Sequence, residues 1–369
     1  MYSIFKPYIF SLDPEVAHDL AIKSLKLNVL PSGIFNVANE ELLETNLLGR
    51  KIPNPIGLAA GFDKSAEVYN SLFKLGYGFV EVGTVTPKRQ LGNPKPRVFR
   101  LEKDKALINR LGFNNHGSEI ISKRISDNLP SGFLGINIGP NKDTKKKEED
   151  YYTCLSNLST YAGYITINIS SPNTEGLREF HDQQEFEKLL TGINKIKKDK
   201  NILKPIAVKL SPDINNNEIS KIIELTIKYK IEGIIVSNTT DSNRENLSDL
   251  QKNEKGGLSG HPLKNISTNL IKKFYKERKG NLQIIGVGGV DSGKSAFEKI
   301  CAGANAVQLY TGMVYKGPGL VKDMKKELIS ILKKENIKNI SEAVGISTWP
   351  VVAVQLYNSR KIIWQKDAN

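Results

Sequence analysis

Two lysines, several carboxamides, a serine in a Ser-Ser-Pro-Asn turn and several glycine turns stand at the ends of short apolar runs. In chain order these are Ala59, Ala60, Gly61, Asp63 and Lys64, then Gly83 and Thr84, then Asn137. Asn168, Ser170, Ser171, Pro172, Asn173 and Thr174 follow, then Lys209, then Ser237, Asn238 and Thr239. Gly286, Gly288, Gly289 and finally Tyr310, Thr311 and Gly312 complete the set. Asparagine offers paired donors and acceptors that match the amide edges of a planar heterocycle. Glycine turns let bare backbone N–H groups approach a phosphate. None of these positions carries His or Cys. The chemistry suggested is a phosphate-bearing ring cofactor beside a small ring substrate.

Taken singly, most of these residues have a plainer use. Gly288 and Gly289 could only shape a tight turn, Asn137 and Asn168 could cap helices, and Ser171 could be an ordinary turn serine. Lys209 has no such use, because lysine is seldom buried without a partner. Their common register at strand ends carries the argument.

The elements that must position them are apolar β-rich runs, most of them followed by amphipathic helical stretches. Strands are predicted at Ile56–Gly61, Phe79–Thr86, Phe133–Gly139, Tyr164–Ser170, Pro205–Leu210, Gly233–Asn238, Gln283–Val287 and Ala306–Tyr310. Their continuous Val/Ile/Leu/Gly character suits parallel strands covered on both faces. Helices are predicted at Lys64–Leu75, Glu185–Lys198, Asn216–Tyr229, Leu263–Lys279, Lys294–Ala302 and Leu320–Lys334. The class is α/β, an eight-stranded (β/α)8 TIM barrel with an N-terminal helical extension; such barrels need about 250 residues. A doubly wound sheet is the competitor, but the first strand lacks the G-x-G-x-x-G turn of a dinucleotide-binding unit.

The division expected is a helical extension over 1–35, a barrel over 36–345 and a tail over 346–369. Lys142–Asp150 is expected to be a solvated loop without a binding role. The tail carries Trp349, Val351, Val352, Val354, Leu356, Ile362, Ile363 and Trp364, apolar for a free terminus. Packing on the barrel, partner contact and a non-native addition all remain open for it. Val16, Ala17, Leu20, Ala21, Ser24 and Leu27 form a stripe at helical spacing. Tyr2, Ile4, Phe5, Tyr8, Ile9 and Phe10 add a second apolar patch.

Cys154 and Cys301 lie too far apart for a disulfide framework, zinc ribbon or iron–sulfur site. His18, His116, His181 and His261 are scattered, so no metal site is expected. No run of about 18 apolar residues spans a bilayer. The net charge of +14 invites a nucleic-acid reading, but the lysines are spread along helix surfaces and no Arg-rich arm appears. No nucleic-acid partner is expected.

The stretches NPIGLAAGFDK (54–64), EVGTVTP (81–87), INRLGFNNHG (108–117), GINIG (135–139), INISSPNTEGLR (167–178), AVKLSPD (207–213), SNTT (237–240), GGLSG (256–260) and GVGG (286–289) resemble the dihydroorotate dehydrogenase family. LDPEVAH (12–18) resembles its membrane-associated, quinone-reducing class, and the likeness runs over about residues 1–345. It implies an FMN barrel, one FMN per subunit, that oxidises (S)-dihydroorotate to orotate in pyrimidine synthesis with a quinone as acceptor.

By that resemblance Ala60, Gly61, Phe62, Asp63, Lys64, Thr84, Asn137, Asn168, Lys209, Ser237, Gly260, Gly289, Tyr310 and Thr311 would hold FMN. Lys64, Asn109, Arg110, Leu111, Gly112, Phe113, Asn168, Asn173, Asn238 and Thr239 would hold the substrate. Ser171 would be the catalytic base, with Thr174 and a water as proton relay. Its soluble counterparts carry cysteine there, so Ser171 supports the quinone-linked class. Ser237 stands where the family usually has threonine, and the hydroxyl is kept.

His18, Arg100 and Tyr310 would meet the quinone, and the protein would sit peripherally on the cytoplasmic face of the cell membrane. In residues 1–30 Lys6, Lys23 and Lys26 balance Asp13, Glu15 and Asp19, so apolar insertion rather than charge would dock them. Deleting residues 1–30 is then expected to abolish membrane association and quinone reduction while leaving flavin reduction intact. Two rivals are a tRNA dihydrouridine synthase, which resembles this architecture but uses a catalytic cysteine, and a non-catalytic binding barrel.

Overall fold

The computed structural model of the protein describes residues 2–27, 38–173, 177–242 and 244–348, without the side chain of Arg178. Thr174 and the apolar tail residues from Trp349 onward, singled out in the sequence, lie outside the described residues.

The strands are β1 (Thr45–Leu47), β2 (Arg50–Ile52), β3 (Ile56–Leu58), β4 (Phe79–Val85), β5 (Val98–Leu101), β6 (Ala106–Asn109), β7 (Phe133–Ile138), β8 (Tyr164–Asn168), β9 (Ile206–Leu210), β10 (Gly233–Val236), β11 (Gly257–Gly260), β12 (Gln283–Val287) and β13 (Ala306–Leu309). The helices are α1 (Tyr2–Ser11), α2 (Pro14–Lys26), α3 (Tyr69–Lys74), α4 (Ser118–Asp127), α5 (Lys147–Leu158), α6 (Gln183–Asp199), α7 (Asn216–Lys228), α8 (Lys264–Glu277), α9 (Gly293–Cys301), α10 (Thr311–Lys316) and α11 (Leu320–Lys334).

Eight parallel strands close in the order β3-β4-β7-β8-β9-β10-β12-β13. These are the eight predicted runs, nearly all of their residues buried. Helices follow each of them, as the (β/α)8 reading requires. Local chemistry starts several: Asp182 caps α6, and capping boxes at Asn215/Glu218 and Ser292/Ser295 start α7 and α9.

Inward-facing residues alternate along each strand and form layers. The lowest layer is apolar: Phe79, Phe133, Tyr164, Ala207, Ile235, Ile285 and Ala306 pack against Leu47, Leu48 and Ile52 of the β1–β2 hairpin, which plugs the N-terminal end. Two glycines make room for it. A Cβ on Gly57 would meet the Phe79 ring at 2.3 Å, and one on Gly135 the Tyr164 ring at 2.2 Å. Two residues further along, the inward positions turn polar with Glu81, Thr166, Lys209 and Gln308.

Several elements depart from the sequence reading. Over Lys64–Leu75 the helix starts only at Tyr69, because Lys64 belongs to the turn leaving β3. Lys142–Asp150 is not wholly a solvated loop: α5 begins at Lys147, and Asp150 Oδ2 accepts from Asn141 N–H at 2.7 Å. Strands β5, β6 and β11, inserted after β4 and β10, form an antiparallel sheet in the order β11-β6-β5. Four residues each, they are too short to leave a periodic signal.

The extension folds as the hairpin α1–α2. Asp13 caps α2 by accepting from Glu15 and Val16 N–H, with Pro14 at the first turn. Arg97, buried, clamps it with a bidentate contact to Glu15 at 2.9–3.1 Å. Ile22 and Leu25 face the core, whereas Val16, Leu20 and Leu27 of the predicted stripe are exposed. No helix among the described residues is long and apolar enough to cross a membrane.

Candidate active site

A cavity of about 420 Å³ opens at the C-terminal ends of the strands, with the β5-β6-β11 sheet along one side. Every barrel strand except β7 contributes to its wall, directly or through the turn that follows. The strand-end set from the sequence converges there: Ala60, Gly61, Lys64, Thr84, Asn168, Ser171, Asn173, Lys209, Ser237, Asn238, Thr239, Gly289, Tyr310 and Thr311 line it. Asn109 at the end of β6, Leu111, Gly112 and Phe113 after it, and Gly260 of β11 complete the expected group.

Four expected residues stand behind the wall instead. Phe62 stacks edge-on between His18 and Tyr310, with centroids 5.1 and 5.8 Å away. Asp63 accepts from Glu67 and Val68 N–H at 2.7 and 2.8 Å, fixing the turn. Arg110 turns outward to Glu254 at 2.7 Å and stacks on Phe99. Asn137 hydrogen-bonds Glu81 in the barrel interior. Of the residues assigned to a quinone, Tyr310 lines the cavity, while His18 and Arg100 lie outside it on the hairpin side. Arg100 stacks on Phe10 and donates to the Phe10 and Leu12 carbonyls.

The amides form one buried chain. Asn137 Nδ2 donates to Glu81 Oε1 at 2.8 Å. Thr84 Oγ1 donates to Asn137 Oδ1 at 2.6 Å and accepts from Asn168 Nδ2 at 3.0 Å. Asn168 Oδ1 accepts from the Ser170 hydroxyl and backbone, and Asn238 Nδ2 donates to Ser170 Oγ at 3.0 Å. Ser171 is buried beside it, its Oγ accepting from Asn173 N–H at 3.3 Å.

Lys209 is buried and Lys64 is half-buried. Burial pulls the Lys209 ammonium below its ordinary range, and Glu81 opposes the shift. Lys64 is brought down to about 8 by burial, with Glu15 and Asp19 holding it up. His18 Nε2 lies 3.2 Å from Lys64 Nζ. Burial first, and the lysine charge second, hold that imidazole well below the ordinary histidine range. A neutral imidazole therefore accepts from Lys64.

The turn after β12 has the shape of a phosphate cradle. Gly288 and Gly289 adopt φ of 107° and 68°, and a Cβ on Gly289 would lie 2.5 Å from Lys264. Lys299 supports this turn from below. It donates to Lys264 O, Ser267 Oγ and Thr268 Oγ1, and Ser267 Oγ donates in turn to Gly288 O at 3.3 Å. Sequence reading missed Lys299, and it also missed Glu81, Tyr164, Thr166 and Gln308. Lys299 gave no signal in an ordinary amphipathic helix. Glu81 did give one: a lone carboxylate within the otherwise apolar FVEVGTV strand.

The dihydroorotate dehydrogenase family model matches residues 42–332. The chain is 45% identical over 339 residues to a dihydroorotate dehydrogenase (quinone) of Bartonella tribocorum, covering 90% of this chain and 93% of that relative. It is 42% identical over 351 residues to the mitochondrial dihydroorotate dehydrogenase (quinone) of Mus musculus, covering 91% and 87% respectively. A crystal structure of the Eimeria tenella enzyme in complex with ferulenol superposes with a TM-score of 0.86 at 38% identity, over 92% of this chain and 96% of that one. Barrel, strand-end chemistry and kinship agree, and the chain belongs to the dihydroorotate dehydrogenase family.

Proposed function

We propose that this protein is an FMN-dependent dihydroorotate dehydrogenase that passes its electrons to a quinone. The observation that carries the reading is the single cavity in which Ser171, the Asn109/Asn168/Asn173/Asn238 group and Lys64 share space with Lys209 and the glycine turn after β12. The donor set fits FMN: the Gly288–Gly289 backbone and Thr311 would take the phosphate, and Lys209, Asn168 and Thr84 the ring. When bound, FMN supplies a hydride acceptor.

The chain's own residues supply the rest. Lys64 and the amide N–H groups hold the carboxylate and carbonyl edges of the substrate ring, which orients the carbon to be deprotonated. Ser171 Oγ takes that proton. The barrel floor and the β5-β6-β11 sheet exclude water from it. Lys209 offers positive charge where negative charge develops.

A cysteine-based rival finds no support. Cys154 is buried behind β4 with its thiol held well above the ordinary range by burial, and neither it nor Cys301 lines the cavity. The deciding measurement is optical. Dihydroorotate added anaerobically to the yellow holoenzyme should bleach it, and a quinone should restore the colour. Persistent colour would overturn the assignment.

The hairpin supports a peripheral membrane position. Ile4, Phe5, Tyr8, Leu12, Val16, Leu20 and Leu27 are exposed on it, an apolar surface suited to insertion into one leaflet. The quinone would enter between these helices, toward Tyr310, with His18 and Arg100 on the path. The cytoplasmic face of the cell membrane is the side proposed.

A further inference from the structure

Glu81 is fully buried at the centre of the barrel. Its two oxygens accept from four neutral donors: Asn137 Nδ2 at 2.8 Å, Tyr164 OH at 2.8 Å, Thr166 Oγ1 at 3.1 Å and Gln308 Nε2 at 3.0 Å. A carboxylate only accepts. Asn137 must therefore turn its amide nitrogen toward Glu81 and its oxygen toward the site. That oxygen takes the Thr84 hydroxyl proton, so Thr84 Oγ1 is left to accept from Asn168 Nδ2. Asn168 then turns its oxygen to Ser170, whose Oγ accepts from Asn238 Nδ2. At the far end Asn238 Oδ1 accepts from the Thr239 backbone N–H at 2.8 Å, a donor that cannot reverse. Every link runs one way.

We propose that Glu81 is a positioning residue that sets the direction of this hydrogen-bond chain at Asn137 and Thr84, whose oxygens take both N–H groups of Asn168 and so hold it in place, at 3.0 Å to Thr84 and 3.2 Å to Asn137. Asn168 and Asn238 then spend their oxygens within the chain, on Ser170 and the Thr239 backbone, and Asn238 keeps one N–H for the ligand. An N–H there suits an anion with carbonyl edges; a displaced or reversed amide would not. The same carboxylate opposes the effect of burial on Lys209, so two features of the site depend on one buried charge. A fixed, fully satisfied network of this kind costs no reorganisation when the ligand arrives.

The inference rests on the reading that these amides hold orotate, and the test separates the two. Orotate binding to the holoenzyme is measured by calorimetry for the wild type, Glu81→Gln and Thr166→Val. Glutamine can offer N–H to Asn137 and let it turn its own Nδ2 toward Asn168 Nδ2, where two donors would meet and displace Asn168 and the Ser170–Asn238 link beyond it, so orotate affinity should fall about ten- to a hundred-fold. Thr166→Val also removes a donor to Glu81 but leaves the chain's direction intact, so it should bind orotate as the wild type does, whatever happens to its melting temperature. Should Glu81→Gln alone not fold, the swap Glu81→Gln/Gln308→Glu keeps the buried charge and volume while removing the carboxylate that faces Asn137, and it should show the same loss. Wild-type affinity in Glu81→Gln or the swap, or an equal loss in Thr166→Val, would overturn the proposal. Failure of the wild type to bind orotate would instead overturn the functional reading.

Discussion

His18 Nε2 and Lys64 Nζ lie 3.2 Å apart, so the hairpin that carries the apolar surface also holds the lysine of the substrate cavity. The two functions expected to be separable share a hydrogen bond. Glu15 and Asp19 on the same helix act on Lys64 through their charge, with Arg97 and Asp63 on the barrel side. Removing the hairpin is therefore expected to disturb Lys64, where the sequence alone suggests that flavin reduction stays intact.

The first prediction follows from that contact. Lys64 loses its proton as pH rises through about 8, so dihydroorotate KM should climb above that pH in the full-length protein. Deleting residues 2–27 lifts the burial that depresses Lys64. It also removes Glu15 and Asp19, but burial is the larger effect, so the alkaline limb should move to higher pH. A limb that stays near pH 8 after deletion would separate Lys64 from the hairpin.

Ser171→Ala should keep FMN bound and slow flavin reduction about 10²–10⁴-fold, the usual value of a positioned base. Among the described residues its one hydrogen-bond partner is the Asn173 N–H, so no carboxylate or imidazole there stands ready to replace it. Rapid mixing of the variant with dihydroorotate under anaerobic conditions reads the rate directly. Near-normal bleaching would take Ser171 out of the mechanism.

For Lys209→Met the side-chain volume is kept and the charge is lost. Lys209 is buried in the cavity wall and hydrogen-bonds no anion among the described residues, which leaves its charge for the cofactor. The purified variant should carry less FMN, and what remains should have a lower reduction potential. Full occupancy at an unchanged potential would mean that the lysine serves another purpose.

How far the site could be read from sequence depended on which periodicity carried each residue. The eight barrel strands are uninterrupted apolar runs and were legible, as were the polar residues at their ends. Thr166 and Gln308 were not, although each lies within a legible strand, because a strand buried on both faces does not show which of its residues face inward; Glu81 did stand out, as the lone carboxylate of FVEVGTV. Counting back by two from Asn168 reaches Thr166 and Tyr164, and from Tyr310 it reaches Gln308. The β5-β6-β11 sheet escaped for another reason: β5 and β6 form a hairpin of four-residue strands, too short for a periodic pattern, and β11 joins it across some 150 residues of chain, Leu258 opposite Ile108, which nothing local announces. The α2 stripe was seen but assigned to one face, whereas the helix has two apolar faces, with Ile22 and Leu25 against the barrel and Val16 and Leu20 outward.

That second face gives the last prediction. Deletion cannot isolate membrane docking, because it also removes His18 from Lys64. Exposed positions can. Tyr8 and Leu20 are 74% and 47% exposed, and the His18–Lys64 and Arg97–Glu15 contacts do not involve them. Tyr8→Glu/Leu20→Glu should leave the barrel, the cavity and Lys64 undisturbed while adding two charges to the surface that would enter a leaflet, where burial of an unpaired charge is strongly unfavourable. The double variant should therefore bleach with dihydroorotate at the wild-type rate and with the wild-type pH profile. It should fail to sediment with phospholipid vesicles and should lose turnover with a long-tailed quinone held in them, while a short water-soluble quinone is still reduced. If it sediments as the wild type does, the exposed face of the hairpin is not the membrane surface.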